Sequence, residues 1–94
     1  MKSTTRPFQY PEKLIALHAW MQEFETLNRY KPGDSEVVEA GHAASTSVVH
    51  YYYDEMERLG MIYRPRKNGR AVPHSVIPLP VEQFHPSIQQ LIKE

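Results

Sequence analysis

The chain has 94 residues, a formal net charge of zero and no cysteine. Its length predicts one domain, and the lack of cysteine excludes disulfides, thiolate nucleophiles and cysteine-type zinc sites. The sequence has no apolar run long enough to span a membrane, and its N-terminal stretch lacks the apolar segment of a signal peptide. We therefore expect a cytoplasmic protein with no membrane partner.

The first predicted elements are a basic N-terminal arm, residues 1–10, and a helix near 12–28. The arm carries two bases and no acid, and Pro11 suits a first helical turn because its missing N–H has no partner there. Apolar residues then recur at three- and four-residue steps, which is typical of an amphipathic helix. These residues are Leu14, Leu17, Trp20, Met21, Phe24 and Leu27.

A short second helix is predicted near 35–40, after Pro32 and Gly33 have broken the first. Asp34 or Ser35 can cap it, and a glycine at position 41 can end it in a left-handed conformation.

A third helix is predicted near 46–59, with Ser45 or Thr46 as its N-cap and Gly60 as its stop. It contains three consecutive tyrosines, residues 51–53. A helix turns by about 100° per residue, so three neighbours cannot all face one core. With Val49 at the centre of the buried face, Tyr52, Tyr53, Met56 and Leu59 point inward. The opposite face then carries Ser47, Tyr51, Asp54 and Arg58, with His50 at its edge.

After the third helix the spacing of apolar residues changes from a helical to a strand-like pattern. Asn68-Gly69 is a strong signal for a two-residue β-hairpin turn, because both residues tolerate positive φ. Pro65 and Pro73 restrict the flanking strands to edge or irregular ones. A short helix is predicted after Pro86, in a C-terminal tail covering residues 81–94.

The hairpin segment RPRKNGR carries four cations within seven residues. Such a cluster is either a solvated loop or a surface that neutralises nucleic-acid phosphates. A helix-turn-helix pattern immediately upstream favours the phosphate-binding interpretation. The cations are Arg64, Arg66, Lys67 and Arg70.

The order of elements predicts a mainly α, α+β fold over residues 11–80: a winged helix-turn-helix with three helices and a C-terminal hairpin. In that layout the third helix enters the DNA major groove and the hairpin, or wing, follows the phosphate backbone. Ser47, His50 and Tyr51 would then meet base edges or phosphates.

Residues 11–77 resemble the N-terminal winged-helix domain of LexA repressors. The similarity is clearest in SEVVEAG, in the serine-rich start of the third helix and in its glycine exit. The resemblance implies DNA contacts from the start of that helix, by Ser45, Ser47, Val48, His50 and Tyr51. Thr46, in the same turn, is a further candidate for DNA contact. The family often carries Asn and Glu at contacting positions, so any operator should differ. The sequence contains no counterpart of the family's self-cleaving domain, so autoproteolysis is not implied.

Two functions remain open: a DNA-binding transcriptional regulator whose partner is double-stranded DNA, and a winged-helix module that binds protein. A homodimer is possible, with Leu91 and Ile92 of the tail as apolar candidates. We expect no enzyme activity, because one small core offers no deep cleft, and no cofactor. The five histidines lack metal-ligand spacing, so we expect no metal site.

Overall fold

The computed structural model describes residues 11–72 and 74–93, so the predicted N-terminal arm lies outside the described residues. The described chain forms a mixed α+β fold, with helices surrounding one core and two small antiparallel sheets. Its elements are α1 Pro11–Asn28, α2 Asp34–Glu39, α3 Thr46–Arg58, β1 Ile62–Tyr63, β2 Arg66–Lys67, β3 Arg70–Ala71, β4 Ile77–Pro78 and α4 Pro86–Lys93, with a 3-10 turn at Val81–Gln83.

The three predicted helices are confirmed, and their ends have local causes. Ser45 is the N-cap of α3, and its Oγ accepts a hydrogen bond from the Val48 N–H at 3.3 Å. The predicted caps of α2 are wrong, because the N-cap is Gly33 and the helix already begins at Asp34. The Gly33 N–H instead donates to Glu36 Oε1 at 2.6 Å, so a side chain one turn later satisfies the free amide.

Gly60 ends α3 because no other residue fits there. Its φ is +76°, in the left-handed region that favours glycine. A Cβ at this position would lie 2.3 Å from the Gln83 carbonyl oxygen. The chain that follows the sheets therefore packs directly against the end of α3.

The predicted phase of the tyrosines on α3 is confirmed. Tyr53 is 2% exposed and Tyr52 is 6% exposed, whereas Tyr51 is 41% exposed. Two rings thus enter the core and one remains at the surface. The core is formed by Leu14, Leu17, Met21, Val37, Val49, Tyr52, Tyr53, Met56, Leu59, Met61, Ile62, Val76, Phe84 and Ile88.

The Asn68-Gly69 hairpin is also confirmed. The two residues have φ values of +55° and +80°, as a type I′ turn requires, and they join β2 to β3. Val72 donates its N–H to the Pro65 carbonyl at 3.0 Å and extends the pairing by one step.

A second pairing, which the sequence did not predict, lies beneath this hairpin. Ile62 pairs with Pro78 and Tyr63 pairs with Ile77, so β1 and β4 form a separate two-stranded sheet. This sheet returns the chain to the core after the hairpin.

The C-terminal segment packs into the same core as α1–α3. Phe84 and Ile88 are buried, and the His85 N–H donates to the Leu59 carbonyl at 2.7 Å. His18 of α1 is buried. Its Nε2 lies 2.8 Å from the Leu79 carbonyl oxygen, and its ring meets Phe84 edge-on with the ring centres 4.7 Å apart. Burial lowers the pKa of the His18 imidazole, which fits a packing role.

The burial of the tyrosines makes a testable prediction. Tyr53→Ala should lower the free energy of unfolding by about 3 kcal/mol, because it leaves a cavity in the core. Tyr51→Ala should change it by at most about 0.5 kcal/mol, because that ring is exposed. Denaturant unfolding of both variants measures the difference. Equal losses in the two variants would contradict the described orientation of α3.

Candidate nucleic-acid interface

The first turns of α3 present a polar surface. Ser45, Thr46 and Ser47 are exposed, and so are His50 and Tyr51 one turn later. Val48, which the resemblance assigns to DNA contact, is half-buried and packs against the core. The helical period separates these exposed residues from the apolar ones, because Val49, Tyr52 and Tyr53 lie on the opposite, buried face of α3.

His50 joins this surface to α2. Its Nε2 lies 2.9 Å from the Asp34 carboxylate in the first turn of α2. Both side chains keep part of their surface in solvent, at 59% and 36% exposure. The pair fixes one edge of the imidazole and leaves the rest of the ring accessible to another molecule.

Tyr51 is the aromatic member of the exposed set. Its ring lies 6.0 Å from the Tyr52 ring, at an interplanar angle of 51°. The contact with a buried neighbour restricts the Tyr51 side chain without covering it. Because 41% of its surface is exposed, the Tyr51 ring can pack against a flat partner.

Lys67 and Arg70 lie on either side of the Asn68-Gly69 turn, and both are exposed. They are opposite each other in the β2–β3 register. Neither forms an ion pair with an acid in the described part of the chain. These are the two hairpin cations that the fold presents to solvent unneutralised.

Arg64 is a correction to the sequence analysis. We expected its charge at the surface, but the side chain is only 8% exposed. Its Nη2 donates to Asp54 at 2.6 Å and to Glu57 at 2.8 Å. The guanidinium also lies 5.9 Å from the centre of the Tyr53 ring. Because Arg64 is buried and paired with two acids, it stabilises the base of the hairpin and is not accessible to phosphates.

Arg66 is partly available to a partner: its side chain is 46% exposed, but it is paired with Glu57, which also binds Arg64. Its two terminal nitrogens donate to the two oxygens of Glu57, at 3.0 and 2.9 Å. The hydrogen bonds from Arg66, with further contributions from Arg64, lower the pKa of Glu57 to about 2. Glu57 therefore stays ionised and holds both arginines.

The sequence analysis missed the acids that bind these arginines. Asp54 and Glu57 are three residues apart, which places both carboxylates on one side of α3. The hairpin begins within ten residues of them, with Arg64 and Arg66 two residues apart. That spacing was the available signal for a salt-bridge cluster between α3 and the hairpin.

No helix in residues 11–72 and 74–93 has both the length and the apolar character needed to cross a membrane. The same part of the chain brings together no group of three or more His, Asp or Glu residues able to hold a metal ion.

The lowered pKa of Glu57 predicts a pH dependence of stability. A carboxyl with a folded-state pKa below its ordinary 4.5 stabilises the fold above that value, and its contribution is lost as pH falls toward 2. Glu57→Gln should lower the melting temperature at neutral pH and weaken its pH dependence between 4.5 and 2. Glu39→Gln, at an exposed acid of α2, is the matched control and should retain the wild-type profile. If Glu57→Gln had the wild-type dependence of melting temperature on pH, the proposed contribution of the Glu57 ion pairs to stability would be wrong.

Comparisons with known proteins assign no family. No protein-family model, curated protein or solved structure matches the chain. A functional conclusion therefore depends on the residues and geometry described above.

Proposed function

We propose that this protein is a DNA-binding transcriptional regulator of the winged helix-turn-helix type. In this proposal α3 lies in the major groove and the β2–β3 hairpin is a wing along the phosphate backbone. The observation that carries the proposal is the pairing of a polar, exposed start of α3 with a hairpin whose turn is flanked by two unneutralised cations. The resemblance of residues 11–77 to LexA repressors supports the same arrangement.

The exposed side chains of α3 suit base recognition. Ser47 can donate or accept a hydrogen bond, and His50 and Tyr51 add polar atoms on flat rings. Side chains near the start of a recognition helix commonly contact base edges. Because Asp34 already orients His50, that imidazole needs little further ordering when it binds.

The hairpin suits contact with the backbone and carries no sequence information in this proposal. Lys67 and Arg70 neutralise phosphates and release counterions, which contributes affinity to every sequence. Arg64 is excluded from this role by its burial. Arg66 contributes less than the two exposed cations, because a phosphate would compete with Glu57 for its guanidinium.

A protein-interaction module is the second candidate, and an aromatic surface favours it. Trp20 and Phe24 of α1 and Tyr30 just after it form a chain of ring contacts, with ring centres 5.2 and 5.3 Å apart. Leu27 in the same region is 74% exposed and Tyr30 is 51% exposed. Exposed apolar and aromatic clusters are typical of protein-binding sites. The zero net charge is also unusual for a DNA-binding domain.

Salt-dependent binding to labelled random-sequence duplex DNA separates the two candidates. We expect the logarithm of affinity to fall linearly with the logarithm of salt concentration. Lys67→Gln and Arg70→Gln should each reduce the magnitude of that slope by about one. Arg29→Gln, which removes an exposed cation at the end of α1, is the matched control. No binding to duplex DNA would favour the protein-interaction module, and an unchanged slope in both hairpin variants would exclude the hairpin from the interface.

A homodimer is part of the proposal, because helix-turn-helix proteins commonly bind paired half-sites as two-fold dimers. Leu91 and Ile92 of α4 are each 39% exposed, so they can contact a second copy. Truncation of α4 is a poor test, because it would remove Ile88 from the core. Leu91→Asp should instead give a monomer in sedimentation experiments while the fold is retained. A dimer that survives this change would exclude Leu91 from the interface.

A further inference from the structure

A cavity lies between the start of α2, the middle of α3 and the chain that follows β3. Its volume is about 310 Å³, at the lower end of the range for small-molecule sites. Neither the DNA contacts proposed for α3 nor those proposed for the hairpin turn use this cavity. Its lining includes Asp34, His50, Tyr53, Arg64, His74 and Val76.

Two polar atoms in the lining residues are buried and lack a hydrogen-bond partner in the described part of the chain. They are the Tyr53 hydroxyl and the Arg64 Nε. Both residues are more than nine-tenths buried, at 2% and 7% exposure. A buried donor without a partner lowers the stability of the fold. Two such donors on residues that line one cavity therefore suggest that a ligand supplies the missing acceptor.

Each of the two atoms is a hydrogen-bond donor. The Arg64 guanidinium keeps its proton on Nε, because arginine stays charged in proteins. Burial, aided by the nearby Asp34 charge, raises the pKa of the Tyr53 hydroxyl, so that group keeps its proton too. A carboxylate accepts two such donors at once, and hydrogen bonds to an ionised acceptor are the strong ones.

The opposite charge in the lining is the Asp34 carboxylate. It is 36% exposed and is held at 2.9 Å from His50 Nε2. Asp34 can therefore accept a further hydrogen bond from a cationic group in the cavity. Apolar surface in the same lining comes from Pro32, Val72 and Val76.

We propose that this cavity binds a small zwitterion of the α-amino-acid class. The ligand carboxylate accepts hydrogen bonds from the Tyr53 hydroxyl and Arg64 Nε, its ammonium donates to Asp34, and its apolar side chain packs on Val72 and Val76. This site does not depend on the proposed DNA binding, because none of these contacts involves nucleic acid.

The surrounding charges favour a zwitterion over a simple acid or amine. Asp54 and Glu57 already offset the charge of Arg64. The lining also carries the Asp34 carboxylate, so a ligand with a carboxylate alone gains little net electrostatic attraction. A lone amine leaves both buried donors without an acceptor. Only a ligand with both groups satisfies the donors and balances Asp34.

The two buried donors are shielded from solvent, so the ligand reaches them only if a side chain in the lining shifts. His74 can supply the shift, because its side chain is exposed. Its ring rests on the Gly33 backbone, where a Cβ would lie 2.5 Å from His74 Cε1. We therefore expect ligand binding to move the amide resonances of residues 33–35, 71, 72 and 74–76 in addition to those of α3.

Nuclear magnetic resonance titration of the full chain with three matched probes tests the proposal. The probes are L-leucine, isocaproate, which lacks the ammonium group, and isoamylamine, which lacks the carboxylate. L-leucine at millimolar concentration should give saturable shifts around the cavity. The two analogues should bind at least about tenfold more weakly, the effect of losing one charge-assisted hydrogen bond.

Two variants and one control complete the test. Tyr53→Phe removes only the hydroxyl and should weaken L-leucine binding by about tenfold. Its melting temperature without ligand should stay the same or rise, because the hydroxyl has no partner to lose. Asp34→Asn should weaken binding to a similar degree and provides a second test of the ammonium contact. Tyr63→Phe makes the same change at an exposed residue outside the cavity lining and should bind as the wild type does.

Several outcomes would overturn the proposal. One is the absence of saturable shifts with L-leucine. Another is equal affinity for isocaproate or isoamylamine. Wild-type affinity in Tyr53→Phe would show that the hydroxyl does not contact the ligand, and a lower melting temperature would show that it already has a partner in the fold.

Discussion

One carboxylate of α3, that of Glu57, attaches the hairpin segment to the helix by binding two of its arginines. Its oxygens accept hydrogen bonds from Arg64 and from both terminal nitrogens of Arg66. The strand pairs of this protein are only two residues long, and an isolated two-stranded hairpin is marginal in water. Strand pairing this short cannot hold the hairpin in place, so the ion pairs of Glu57 and Asp54 attach it to α3.

The same cluster determines which charges are available for binding. Asp54 and Glu57 neutralise the cations at the base of the hairpin, whereas Lys67 and Arg70 lie at its tip beyond their reach. A chain with zero net charge thereby keeps two exposed cations on its hairpin, unpaired within the described part of the chain. Tyr53 packs against the Arg64 guanidinium, and both residues belong to the lining of the proposed ligand cavity. His50 borders both the cavity and the proposed reading surface, so a ligand that binds Asp34 would change how the imidazole is held.

Much of this architecture could be predicted from sequence because it is encoded locally. The spacing of apolar residues gave the helices, the 100° step separated Tyr51 from Tyr53, and Asn68-Gly69 gave the turn. The features that were missed are set by tertiary contacts. Arg64 looked like a surface cation because its acidic partners lie on the preceding helix. The pairing of β1 with β4 joins strands separated by a hairpin, and two-residue strands leave almost no alternating pattern to detect.

In the function we propose, the exposed start of α3 recognises the DNA sequence, and the hairpin contributes affinity alone. Selection of bound duplexes from a random pool, with wild type and Tyr51→Ala in parallel, tests it most directly. We expect the wild type to enrich a defined site, and Tyr51→Ala still to bind DNA but to enrich a site that is degenerate at one or more positions. No enrichment by a folded wild-type protein, or the same site from both proteins, would contradict it.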